Sequence, residues 1–139
     1  MTRSQAQKRA QHALEKINEV ATSDENRQQH YRSYVESLPA TIIMNGLGQA
    51  LAMEKAGAAK KGDIGFGHRA VYEHLNDWLT TRWQEMFGGD KPDDILHAIV
   101  KGDEEKYLLM QSEAMAYLEW LKKFAAASLK KPDGNENDG

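Results

Sequence analysis

Basic side chains recur at helical spacing near the start of the chain, and they are the first residues whose types and spacing could do chemistry. One set follows steps of four, three and four residues: Gln5, Arg9, His12 and Lys16. This spacing places the set along one side of a helix, and Lys8 lies further round the same polar surface. Clustered cations on one helix face are typical of contacts to phosphate groups. We interpret the strip as a candidate phosphate-binding face; the alternative is a solvated helix flank.

A second basic site is the lysine pair Lys60 and Lys61, in the middle of the glycine-rich segment 57–67. Four glycines in eleven residues predict a flexible loop, which leads into a helix at His68. Glycine-rich loops before helices can bind phosphate groups. The segment lacks the Gly-Lys-Ser/Thr ending of a P-loop, and no strand precedes it, so we predict no nucleotide cofactor. The two lysines are candidate phosphate contacts.

His68, His74 and Asp77 are the residues that invite a metal interpretation, because His74 and Asp77 share a helix face. Zinc and iron sites need three or four ligands at matched spacing, and the Glu-x-x-His pattern of di-iron bundles never occurs. We therefore predict no metal site and assign these side chains to the surface or to helix caps. The chain also has no cysteine and no nucleophile motif. We predict no catalytic residue, no cofactor and no enzyme activity.

Apolar residues recur at helical spacing along most of the chain, and no segment alternates with the period of a strand. The pattern predicts an all-α fold, a compact bundle of about six helices. The predicted helices cover residues 4–22, 24–38, 40–54, 68–86, 92–100 and 104–129. Tyr31 and Tyr34 are predicted to pack in the core, with stacking on nucleobases as the alternative. Trp120 lies off the apolar face of the last helix and is either an interface anchor or an edge residue.

The third predicted helix, residues 40–54, is the element around which the others pack. Pro39 suits its first position, because the missing N–H costs nothing there. Its apolar residues, Ile43 and Leu47 among them, surround most of the helix, which is typical of a buried central helix. One narrow strip is small or polar: Asn45, Gly48, Gln49 and Ala52.

Length and composition fit one domain. The chain has 139 residues, and we predict a single helical domain over residues 1–129 and a disordered tail over 130–139, which lacks apolar side chains other than proline. The N-terminal residues are polar and do not resemble a signal peptide. A cysteine-free chain fits a reducing cytoplasm, and we expect the isolated chain to be a monomer.

The net charge of −3 hides an asymmetry between the two halves. Residues 1–70 carry ten Lys/Arg against seven Asp/Glu, whereas residues 71–139 carry eight against fourteen. A basic half can attract an anion while an acidic half attracts a cationic neighbour. The alternative is an ordinary solvated surface.

Four segments, in order and spacing, make the chain resemble a known family. They are Gln7-Lys8-Arg9-Ala10 continuing to Leu14, Leu38-Pro39 with Asn45-Gly46-Leu47-Gly48-Gln49, Tyr72-Glu73-His74-Leu75 continuing to Trp78-Leu79, and Tyr117-Leu118-Glu119-Trp120-Leu121-Lys122-Lys123-Phe124-Ala125. Over residues 3–128 the chain resembles the small-subunit family of the type III-B CRISPR effector, the Cmr complex.

The resemblance implies a non-catalytic, all-α subunit of an RNA-guided ribonucleoprotein in antiviral defence. It implies partners, which are the other subunits of the complex, guide RNA and target RNA. It also implies that the subunit stacks beside the backbone subunits and helps to hold the guide–target duplex, while RNA cleavage belongs to other subunits. Lys8 and Arg9 fall within the similar segments, whereas Lys60 and Lys61 do not. The alternative function is a stand-alone helical adaptor or regulator of protein interactions without RNA. We predict no membrane partner.

Overall fold

The computed structural model describes residues 2–132, and this part of the chain forms five α-helices and no strand. The helices are α1 (Gln5–Val20), α2 (Glu25–Ala58), α3 (Gly62–Phe87), α4 (Ile95–Lys101) and α5 (Glu104–Ser128). The predicted all-α class is confirmed. The predicted count of six helices is wrong by one, because the segments predicted at 24–38 and 40–54 form one helix, α2.

The interruption in α2 lies at Gly46 and not at Pro39, the predicted start of a separate helix. Pro39 is buried inside the helix, and the chain continues helical on both sides of it. Gly46 has φ 84° and ψ 161°, a backbone conformation with positive φ that glycine adopts without the steric cost of a Cβ. The helix therefore has two arms, residues 25–45 and residues 47–58, which meet at Gly46.

The two arms of α2 fold back sharply towards each other. The Tyr34 ring, on the first arm, stacks on His68 of α3 at 3.7 Å between ring centroids. On the second arm, Glu54 Oε1 lies 3.0 Å from Nδ1 of the same histidine. In a straight helix Tyr34 and Glu54 would be roughly 30 Å apart. Their common partner shows that α2 has the shape of a V, with Gly46 at the vertex.

Two side chains of α5 hold the vertex in place. The Leu47 N–H donates to Gln111 Oε1 at 2.9 Å, and the Gly48 N–H donates to Tyr107 Oη at 2.7 Å. A helix that restarts after a break has N–H groups without intrahelical partners. The two α5 side chains satisfy these groups, so the bend does not leave these donors unpaired.

The core forms where both arms of α2 pack against α1, α3 and α5. Leu38, Ile42, Leu47 and Leu51 of α2 are buried there with aromatic and aliphatic residues of the other helices. The expectation that residues 40–54 are apolar all round and buried is only partly right. Ile43, Met44 and Met53 have 73%, 82% and 52% of their surface exposed, because the arms present only one side to the core.

The glycine-rich segment 57–67 is not the flexible loop that the sequence predicts. Only residues 59–61 lie outside α2 and α3. A Cβ on Gly65 would lie 1.7 Å from the Lys60 carbonyl oxygen, and one on Gly57 would lie 2.4 Å from the His68 ring. These glycines therefore permit close approach of α2 and α3, and they do not supply mobility.

Aromatic residues left open by the sequence now have positions. Tyr31 has none of its surface exposed and belongs to the core. Trp120 is partly buried, packs against the core and lies 5.7 Å from the Phe124 ring, centroid to centroid. Of the predicted tail, Lys130 donates its N–H to Gln28 Oε1 at 3.0 Å, whereas residues 133–139 lie outside the described part of the chain.

Candidate functional site

Arg9, predicted to face phosphate groups, forms an ion pair inside the bundle. Its Nε donates to Glu113 Oε2 at 2.6 Å, and its Nη2 donates to Oε1 at 3.0 Å. The same carboxylate accepts from Arg82 Nε at 3.1 Å and from Trp78 Nε1 at 2.9 Å. Burial alone would raise the pKa of Glu113, but the hydrogen bonds from Arg9, Trp78 and Arg82 outweigh burial and leave that pKa lowered. Arg9 thereby joins α1 to α5, and Arg82 joins α3 to the same carboxylate.

His12 also contacts neighbouring helices. Its Nδ1 lies 2.5 Å from Tyr117 Oη on α5, and its Nε2 lies 2.6 Å from Asp77 Oδ2 on α3. Its side chain is 16% exposed. Lys16 is 23% exposed and lies 3.6 Å from Glu19 Oε1. Of the strip, therefore, Arg9 and His12 make interhelical contacts, and their partners lie so far along the chain that no local pattern connects them.

His74 is a buried residue and not the surface or capping side chain that the sequence predicts. It is 7% exposed, and its Nδ1 lies 2.8 Å from Tyr31 Oη. Burial, assisted by the positive charge of Lys16 and by His12, lowers the pKa of His74 to about 3. His68 is also largely enclosed, with an 18% exposed side chain between Tyr34 and Glu54. Within residues 2–132, no group of three or more His, Asp or Glu side chains converges to hold a metal ion.

A polar cavity of about 620 Å³ opens beside His74. Its lining carries two lysines, Lys16 and Lys91, and four carboxylates, Glu19, Glu73, Asp77 and Asp93. Lys91 Nζ is 3.9 Å from Asp77 Oδ1, which places the cavity beside the His12–Asp77 pair. Because the carboxylates outnumber the lysines, the lining is net negative and does not favour an anion.

Three of the predicted site residues have no ion-pair partner among residues 2–132: Lys8, Lys60 and Lys61. Lys60 and Lys61 are exposed, and Lys8 is half-buried. They do not form one surface. Lys8 is next to Arg9, which shares the Glu113 carboxylate with Arg82 of α3. Lys60 and Lys61 lie at the other end of α3, just before its first turn. The length of α3 between residues 62 and 82 puts these two places roughly 30 Å apart. The structure separates the sequence-predicted cations into an α1 group and a group at the α2–α3 turn.

The opposite, vertex end of α2 carries an apolar surface. Large side chains are strongly exposed there: Ile43 73%, Met44 82%, Val100 69% and Leu108 52%. Between α2, α4 and α5 lies a groove of about 610 Å³, lined by Gly48, Ala52, Leu96, Val100 and Tyr107, among others. The strip of small residues seen in the sequence forms one wall of this groove. Exposed apolar side chains of this size beside a groove are typical of protein-contact surfaces.

Within the described residues, no helix combines the length and hydropathy needed to cross a membrane.

Comparison with known proteins connects these features to a family. A family model described as "CRISPR-associated protein (Cas_Cmr5)" matches residues 5–128, a range that includes all five helices. Among solved structures, the crystal structure of a CRISPR-associated Cmr5 family protein from Thermus thermophilus superimposes with a TM-score of 0.68 at 27% sequence identity. That match covers 92% of this chain and 100% of the other.

Proposed function

This chain belongs to the Cmr5 family of CRISPR-associated proteins, and from that membership we propose that it is the non-catalytic small subunit of a Cmr effector complex. The observation that carries the proposal is the family match over residues 5–128, which includes every helix of the fold. In this proposal the subunit supports the assembly, and it helps to hold guide and target RNA in antiviral defence.

Two surfaces support a subunit with both protein and RNA partners. The apolar surface at the vertex of α2, defined by Ile43, Met44, Val100 and Leu108, is suited to a protein neighbour because burying it removes apolar area from water. The lysines without ion-pair partners, Lys8, Lys60 and Lys61, are suited to phosphate groups, whose contacts are independent of base sequence. A guide-binding subunit needs such contacts, because it must accept any guide.

The proposal keeps the α1 strip, Arg9, His12 and Lys16, and adds a structural role to it. Arg9 and His12 hold α1 against α3 and α5 through Glu113 and Asp77. Lys8 belongs to the same helix and keeps part of its surface open to solvent. In the proposal, these interhelical contacts hold α1 in position, and Lys8 contacts RNA from that helix.

Co-purification tests the proposal. The chain, tagged and expressed in its native host, is expected to retain the other subunits of the complex and short guide RNA. The double variant Ile43→Ser with Met44→Ser changes the proposed docking surface at two exposed side chains and leaves the core intact. It is expected to retain less of the other subunits than the wild-type chain does. Recovery of the tagged wild-type chain alone, without subunits or RNA, would favour the stand-alone adaptor and contradict the proposal.

A further inference from the structure

The cations that gather where α2 turns into α3 do not depend on the α1 strip. Lys60 and Lys61 are exposed, and neither side chain forms a hydrogen bond or ion pair with any residue in the range 2–132. Arg69, about two helical turns into α3, is also exposed, and its Nη1 donates to the Ala58 carbonyl at 3.1 Å. That bond directs the guanidinium towards the same turn. A guanidinium has five N–H donors, so further donors remain for a ligand.

Arg27 extends this group onto the start of α2. Its Nε donates to Asp63 Oδ1 at 3.3 Å, and its guanidinium carbon lies 4.7 Å from the centre of the Phe66 ring. Its side chain is nevertheless 45% exposed. These contacts hold Arg27 beside the first turn of α3, next in space to the lysine pair.

Lys130, which follows α5, is the fifth cation of this group. Its N–H donates to Gln28 Oε1 at 3.0 Å, and Arg32 Nη1 donates to the neighbouring Leu129 carbonyl at 3.1 Å. Both bonds attach the end of α5 to the start of α2. The exposed Lys130 therefore lies on the Arg27 side of the molecule, although it is 102 residues from Gln28 in sequence.

We propose that these five residues, Arg27, Lys60, Lys61, Arg69 and Lys130, form one phosphate-binding edge that contacts the RNA backbone in the assembled complex. The inference rests on the proposed function and deepens it by choosing between the two groups of cations. Three carboxylates lie beside the edge, Asp24, Glu25 and Asp63, and two of them pair with Arg27, so cations remain in excess. Acidic residues collect instead near the start of α5, at Asp103, Glu104 and Glu105.

Several features favour an RNA backbone over an acidic protein as the occupant. The exposed cations are mainly lysines, which act as point charges towards phosphate, and each requires no fixed partner geometry. The exposed apolar residues of a protein-docking surface lie at the opposite, vertex end of α2. Backbone contacts made by dispersed cations fit recognition of RNA irrespective of sequence.

The test compares two triple variants in the reconstituted complex. Lys60→Gln, Lys61→Gln and Lys130→Gln neutralise the edge at exposed side chains. Arg3→Gln, Lys91→Gln and Lys123→Gln remove the same charge from exposed positions elsewhere on the molecule. RNA affinity is measured between about 50 and 300 mM salt, because each phosphate contact contributes about 0.7–0.9 to the slope of log affinity against log salt.

The edge variant is expected to lower that slope by about 2 to 3, whereas the control leaves it within about 0.5 of wild type. Equal slopes for the two variants would overturn the inference while leaving the proposed function standing. Loss of a partner subunit by the edge variant alone, with an unchanged slope, would assign the edge to an acidic protein and also overturn it. A wild-type chain that recovers neither subunits nor RNA would overturn the proposed function itself, and the inference with it.

Discussion

Glu113 accepts hydrogen bonds from three side chains on two other helices, and it shows how single residues stabilise this bundle. The carboxylate is 5% exposed and receives Arg9 from α1 together with Trp78 and Arg82 from α3. A buried carboxylate without such partners would cost free energy, because its charge is removed from water. Polar residues in this core are therefore fully paired among residues 2–132, with no buried side-chain oxygen or nitrogen left without a partner.

Replacing Glu113 by Ala leaves two guanidinium groups in a partly buried site without their carboxylate. We expect a loss of about 3–5 kcal/mol in the free energy of unfolding, the usual cost of removing one partner from such a network. Glu119→Ala is the control, because Glu119 lies on the same helix in an exposed pair with Lys123, and should cost less than about 1 kcal/mol. Urea unfolding measures both. Similar losses for the two variants would contradict the assignment.

His74 gives the stability a defined pH dependence. Its pKa is about 3 in the folded chain and 6.5 as the ordinary value. As the pH falls below 6.5, the unfolded chain binds a proton that the folded chain does not, so the free energy of unfolding decreases from there towards pH 3. His74→Gln should flatten this part of the profile. Unfolding in urea at successive pH values tests this, and a profile of His74→Gln identical to that of the wild-type chain would exclude the role of His74.

Leu47 and Ile43 lie four residues apart in α2 and have opposite environments. Leu47 has none of its surface exposed, whereas Ile43 has 73% exposed. We expect Leu47→Ala to lower the free energy of unfolding by about 2–5 kcal/mol through lost burial and a cavity. Ile43→Ala should change it by no more than about 0.5 kcal/mol. Chemical denaturation of the two variants provides the comparison, and equal losses would place Ile43 in the core after all.

At the scale of elements, the bend of α2 decides the architecture. Gly46 reverses the direction of the helix, and Tyr107 and Gln111 of α5 satisfy the N–H groups of the second arm. The bend brings Tyr34 and Glu54 onto the same histidine of α3. It also exposes Ile43 and Met44 beside the groove, so one backbone conformation creates both the core contacts and the apolar surface.

Gly46→Ala tests this bend. Its φ of 84° disfavours any residue with a Cβ, and the added Cβ would lie 2.9 Å from Tyr107 Oη. Gly88→Ala is a matched control, since Gly88 has φ 77° with nothing within 4 Å of its added Cβ. Gly88 has ψ −171°, so it lies in a region that only glycine adopts readily, and backbone strain should cost about 1–3 kcal/mol there. At Gly46 we expect about 1 kcal/mol more, because the Tyr107–Gly48 hydrogen bond must also move. Thermal or urea unfolding that ranks the two variants equally would show that Tyr107 does not hold the vertex.

At the scale of the whole molecule, the two ends differ in chemistry. The α2–α3 turn gathers exposed cations, and the vertex of α2 gathers exposed apolar side chains. The division matches a subunit that is proposed to contact RNA at one end and a protein at the other. A net charge of −3 does not conflict with this, because charges act locally at distances within the screening length.

The vertex surface yields a prediction about assembly. Ile43→Ser with Met44→Ser should reduce retention of the partner subunits about tenfold or more, since a few central apolar residues carry most of the energy of an interface. The free energy of unfolding should be unaffected, because both side chains are exposed. Leu14→Ser with Ile64→Ser, at positions 42% and 41% exposed, is the control for general surface changes. Pull-down from the native host measures retention, and undiminished retention would exclude the vertex as a docking surface.

The sequence by itself determined the helical class and most helix positions. Apolar residues at a period of 3.6 mark the face of a helix that becomes buried, wherever that face packs. The bounds of α1 and α5 and the ends of α3 and α4 were therefore predicted closely. The resemblance carried by four segments also identified the family that the comparison confirms. The sequence also singled out Lys60 and Lys61 as candidate phosphate contacts, and that role stays a prediction.

Only the tertiary structure decided what those residues meet. Arg9 and its partner Glu113 are 104 residues apart, and Arg27 reaches Asp63 across 36, so no local pattern could show which cations are paired inside the bundle. From the sequence alone, Gly46 predicts only a loss of helix stability. In the structure its positive φ is favourable, because Tyr107 and Gln111 satisfy the N–H groups that the bend frees. Periodicity reports which side of a helix is apolar; whether that side is covered, as at Leu47, or left open, as at Ile43, depends on the path of the backbone.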